Sequence, residues 1–112
     1  MIRAIAAFTV LLGTAAQAAE IEHVLYRCER DVAIDVIYVE SSGPDQVVLR
    51  AEEHFTILTA TPSAQGKRYQ NSPVLSDYVW WVEEDRAMLG WFDADKGSEE
   101  TLFRECRERR LD

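Results

Sequence analysis

The chain reads as an all-β domain, an antiparallel sandwich or a small closed barrel, and three observations predict it. Short runs rich in β-branched and aromatic residues alternate with a period of two. Clusters of Gly, Pro, Ser, Asn and Asp punctuate those runs at short intervals, giving about seven or eight strands. Two cysteines, Cys28 and Cys106, stand near the two ends of the patterned region. In so short a chain a barrel is favoured over an open sandwich, because closure removes exposed sheet edges.

Residues 1–18 are set apart from the fold. Arg3 supplies a positive start, Ile5 to Leu12 an apolar core, and Ala16-Gln17-Ala18 a small-x-small cleavage pattern. The apolar run is shorter than the roughly 20 residues that a bilayer span needs. No cysteine follows the cleavage pattern to take a lipid, so no membrane anchor is expected. The sequence therefore predicts a signal peptide cleaved after Ala18 and a soluble exported product, residues 19–112, forming one domain.

Within that domain Cys28 and Cys106 are expected to pair, since exported proteins mature in an oxidising compartment. Closing a loop of roughly 80 residues stabilises by about 4.5 kcal/mol in the chain-entropy model. A redox or metal role competes poorly, with no C-x-x-C and only His23 and His54 to assist. In Val32 to Glu40, Val32, Ile34, Val36 and Tyr38 share one face of a strand. Ser41-Ser42-Gly43-Pro44-Asp45 is a turn by composition, followed by extended runs at Gln46–Ala51 and His54–Ala60. A projecting loop, Thr61 to Tyr69, comes next. Tyr78–Glu83 and Ala87–Phe92 flank Glu84-Asp85-Arg86 as a hairpin. Alternation sends Trp80 and Trp81 to opposite faces, one into the core. Thr101–Cys106 makes the last strand, although Glu99 to Arg110 also has the residue types of a helix.

Composition narrows the function. A formal net charge of -8 argues against nucleic acid and anionic membranes, and favours a basic protein partner through steering. No nucleophile elbow, zinc-ligand spacing, phosphate-binding loop or dinucleotide fingerprint occurs, so no enzyme and no cofactor is expected. Asp93-Ala94-Asp95-Lys96-Gly97 lacks the ligand spacing of a calcium loop and places Lys96 against a cation, so no metal is expected. Nothing in the sequence fixes an oligomeric state.

The order Tyr26-x-Cys28, then Ser63-Ala64-Gln65-Gly66-Lys67-Arg68-Tyr69, then Tyr78-Val79-Trp80-Trp81 with Ala87-Met88-Leu89, and last Cys106, resembles the bacterial inhibitors of c-type lysozyme, the membrane-bound and periplasmic MliC/PliC type. The resemblance implies an eight-stranded antiparallel barrel that blocks the substrate cleft of a c-type lysozyme with a loop. It assigns Ser63, Gln65, Gly66, Lys67, Arg68 and Tyr69 to that loop and Glu83 to a second contact position. Lys67 and Arg68 are the cations that would meet the enzyme's two carboxylates. Two positions depart from the family pattern. Gln65 stands where a contacting serine is usual, and Glu83 where a lysine is usual. The alternative they raise is an inhibitor-like barrel directed at another envelope partner.

Overall fold

The computed structural model describes residues 19–71 and 74–109. The expected signal peptide and its cleavage after Ala18 lie outside the described residues. Eight strands close into a barrel in strict sequence order, every neighbour antiparallel. They are β1 (Glu20–Arg27), β2 (Ala33–Glu40), β3 (Gln46–Ala51), β4 (His54–Thr61), β5 (Lys67–Gln70), β6 (Asp77–Glu83), β7 (Arg86–Asp93) and β8 (Ser98–Glu108).

The alternation read from the sequence sets the inside. Ile34, Val36, Val47, Leu49, Leu58, Trp80 and Leu89 are wholly buried, each stabilising by about 1.5–3 kcal/mol relative to an exposed position. Aromatic polar atoms within this core find one another. The Tyr26 and Tyr38 hydroxyls lie 2.7 Å apart, and Trp80 Nε1 donates to the Tyr38 oxygen at 3.0 Å, as buried aromatics with polar tips require. Burial pushes the Tyr26 hydroxyl well above the usual tyrosine range and raises that of Tyr38.

The barrel is long-laddered on one side and narrow at its seam. Among the described residues β1 pairs with β8 at Tyr26↔Glu108 and Arg27↔Arg107, and just past β8 the Arg109 N–H donates to the Leu25 carbonyl at 2.8 Å. Just beyond these pairs the Cys28–Cys106 disulfide joins the strands, with Cα atoms 3.8 Å apart. The expected bridge between the ends of the domain is therefore present.

Two expectations are corrected. Glu99 to Arg110 shows no helix among its described residues; Ser98–Glu108 is one strand. Phe103 and Cys106, three apart, are both buried, a helix-like spacing. It arises from a bulge: Leu89 and Ala87 of β7 oppose Phe103 and Cys106, and Glu105 sits at φ 56°. The long loop also shortens, because Lys67, Arg68 and Tyr69 belong to β5 and only residues 62–66 project. His23 lies within β1 and bonds Asp35 at 2.9 Å.

Candidate functional site

The loop of residues 62–66 leaves β4 and enters β5 at one end of the barrel. Antiparallel order puts the turn ending at Asp45, the Glu84-Asp85 tip and the start of β1 at that same end. Carboxylates therefore surround the loop: Glu20, Glu40, Asp45, Glu83, Glu84, Asp85 and Glu108. Lys67 and Arg107 answer some of them, through the ion pairs Lys67–Asp45 at 3.5 Å and Arg107–Asp85 at 3.7 Å, and Arg86 pairs with Glu105 at 3.8 Å. The rim is acidic, as the net charge of the chain foreshadows.

Two donors converge on one carbonyl to shape the loop. Ser63 Oγ donates to the Gln65 carbonyl oxygen at 2.7 Å, and Trp81 Nε1 donates to the same oxygen at 2.9 Å. Gly66 then turns the chain at φ +64°, where a Cβ would collide with the Val82 carbonyl oxygen and press on the Trp81 indole. Only glycine fits this combination of left-handed backbone and close approach. Pro62, Ser63, Ala64, Gln65 and Gly66 are all exposed. The Gln65 side-chain amide makes no hydrogen bond to any described residue, so its donors and acceptor face outward.

The residues after Gly66 alternate. Tyr69 is 3% exposed and tilts against the Tyr38 ring at 6.0 Å, so it anchors the loop from inside and presents nothing to a partner. Burial pushes its hydroxyl up to about 12. Arg68 faces the outer wall, but its guanidinium is engaged. It grips Glu99 with two contacts, at 3.0 and 3.2 Å, and its Nε donates to Gln70 Oε1 at 3.1 Å. The expectation of a free cation at Arg68 is therefore corrected: a carboxylate 31 residues away in sequence already neutralises it. Lys67 is more open, with a single loose pair to Asp45. Glu83 ends β6 opposite Arg86 and is exposed.

Between the loop and the outer wall of β5–β8 lies a concavity of about 460 Å³, bordered by Gln65, Arg68, Trp81, Met88 and Glu99. Its floor is Val79 and Gly90. Val79 alternates outward with Trp81 yet is only 2% exposed, because the Arg68–Glu99 pair spans the intervening strands above it. The Glu99 side chain lies over Gly90: a Cβ there would stand in ordinary contact with Glu99 Oε1 at 3.4 Å, and the tighter approach, at 3.2 Å, is to the Glu100 carbonyl. Sequence reasoning missed Glu99 and Gly90. A glycine inside an otherwise apolar strand signals close approach, and Gly90 was the available clue.

Among the described residues no group of His, Cys, Asp and Glu side chains could hold a metal ion. In the Asp93–Gly97 turn, the Asp93 carboxylate instead accepts from the Asp95 and Lys96 backbone N–H groups.

The family model for the membrane-bound lysozyme-inhibitor of c-type lysozyme matches residues 26–98. The chain belongs to that family. Its match spans the buried Tyr26, the whole loop and the β6–β7 hairpin. No curated protein matches the chain. Two solved structures share the inhibitor fold. One is PliC-St, the periplasmic lysozyme inhibitor of C-type lysozyme from Salmonella typhimurium, at 18% identity and TM-score 0.67, covering 81% of this chain and 100% of that one. The other is Pseudomonas aeruginosa MliC in complex with hen egg white lysozyme, at 21% identity and TM-score 0.63, covering 96% of this chain and 100% of that one. Family membership places the chain with inhibitors of the cell envelope, either membrane-bound or periplasmic.

Proposed function

We propose that the chain is a periplasmic inhibitor of a c-type lysozyme, exported by cleavage after Ala18, which binds the enzyme and catalyses nothing itself. The observation that carries this reading is the loop of residues 62–66. In a family of lysozyme inhibitors, it is a projecting finger fixed by Gly66 and by two hydrogen bonds onto one carbonyl. Such fixing removes most of the ordering cost that a mobile loop would carry into a complex.

The acidic rim steers the domain toward a basic enzyme, and Glu83 contributes to that rim in place of a contacting lysine. Once docked, the finger fills the groove that the glycan chain would occupy. Its tip offers the Gln65 amide as a donor to the catalytic carboxylates, with Ser63 beside it and Gly66 permitting close approach. Lys67 borders the tip as the more open cation, while Tyr69 holds the base of the finger in the core.

Oxidised protein spanning residues 19–112 should slow the lysis of peptidoglycan by c-type lysozymes, hen egg white lysozyme among them. Ser63→Ala combined with Gln65→Ala should weaken inhibition about tenfold, the loss of roughly 1.4 kcal/mol of polar contact. Absence of any slowing at micromolar protein, across a panel of c-type lysozymes, would overturn the proposal.

A further inference from the structure

Arg68 is the second residue of the strand that the finger feeds, yet its charge is drawn away from the finger's tip. In the sheet register Arg68 opposes Trp81, which opposes Met88. Its partners lie lower on the wall, toward the far end of the barrel. Gln70 is two residues further along β5, and Glu99 opposes Phe92, near the start of β8. The side chain is only 29% exposed and that of Glu99 37%. A two-contact guanidinium–carboxylate pair matches the fork geometry that arginine offers. It is also the arrangement that a lysozyme's own carboxylate would need to form with Arg68, so the two carboxylates compete for one guanidinium.

We propose that Glu99 is a specificity-determining residue of the site: an internal carboxylate that occupies Arg68 and leaves the finger a neutral, hydrogen-bonding plug. The inference rests on the inhibitor reading above. Two features support a placed residue over an incidental surface pair. The Glu99 side chain packs over Gly90, its Oε1 3.4 Å from where a Cβ would stand, and the outward-facing Val79 beside Gly90 is only 2% exposed. Target enzymes whose clefts reward a cation gain nothing from Arg68 while Glu99 holds it. Enzymes that accept a neutral plug are inhibited regardless of Arg68.

The test is a double-mutant cycle read by inhibition of a panel of c-type lysozymes, hen egg white lysozyme among them, at low and high salt. Glu99→Gln keeps the shape and removes the competing charge. It should inhibit at least about fivefold more strongly at low ionic strength, with the gain shrinking as salt rises. Arg68→Ala alone should change inhibition by less than about twofold, and in the Glu99→Gln background it should abolish the gain. Melting curves of all three variants report whether the barrel persists. A folded Glu99→Gln that inhibits no better than the parent overturns the role of Glu99 while leaving the inhibitor function intact. A parent that inhibits nothing while Glu99→Gln inhibits overturns the native function and supports the masking. If neither inhibits, both fall. Loss of inhibition in Arg68→Ala alone would also overturn the masking, since the guanidinium would then be in use.

Discussion

The barrel is narrow in two places, and it secures them by opposite means. At the β8–β1 seam two residue pairs are backed by a covalent bond, Cys28–Cys106, and by the Tyr26–Tyr38–Trp80 cluster inside. At β5, four residues long, no covalent link exists. Tyr69 is set into the core, Arg68 is tied across the outer wall to Glu99, and Trp81 and Gly66 fix the loop that leads in. The seam carries none of the proposed contact residues, and β5 carries the finger. The difference teaches that a displayed loop can be made rigid by many small restraints, each of which remains individually adjustable.

The largest effect should come from opening the seam. Replacing Cys28 and Cys106 together with serine should cost about 4.5 kcal/mol of unfolding free energy for a separation of 78 residues, read by urea denaturation. A loss below about 1 kcal/mol would move the strength of the seam to the aromatic cluster. Alkali should next probe β5. Tyr69 is held neutral up to about 12, whereas in the unfolded chain it ionises near pH 10. Its raised value means that its contribution is complete below pH 10 and is lost as pH climbs through 12. That contribution is roughly 3 kcal/mol, and the thermal midpoint should fall across this window. Tyr69→Phe should remove the Tyr69 share of that fall and leave the share of Tyr26, Tyr38 and Tyr78, whose hydroxyls are also raised.

Smaller changes separate the restraints on the finger. Gly66→Ala forces a side chain into left-handed backbone against the Val82 carbonyl, and should cost about 1–3 kcal/mol together with a clear loss of inhibition. Equal inhibition by this variant would show that the turn is softer than the comparison requires. Trp81→Phe keeps the aromatic body and removes the bond to the Gln65 carbonyl. It should cost about 1 kcal/mol, lowering the melting midpoint by about 4–8 °C, and weaken inhibition about fivefold.

Much of the fold was legible because period-two alternation reports burial directly. The face Ile34, Val36, Tyr38 and the opposition of Trp80 to Trp81 both follow from it. What escaped the pattern were its interruptions. The bulges of β8 make Phe103 and Cys106 mimic a helical spacing. The β3–β4 turn uses Glu52 and Glu53 at positive φ instead of the usual glycine or asparagine. In the site, residue types marked the finger but not its mechanics. A backbone carbonyl, Gln65 O, is invisible to any reading of side chains. The Arg68–Glu99 pair joins strands whose proximity only barrel closure creates, so the cation looked free in the sequence.

Because both hydrogen bonds that shape the finger end on the main chain of residue 65, the side chain there contributes nothing to its form. Positions 64 and 65 are thus an exchangeable cartridge on a fixed mount. A lineage facing a different hydrolase can rewrite the tip, as Gln65 in place of the usual serine already illustrates, without renegotiating the architecture beneath it.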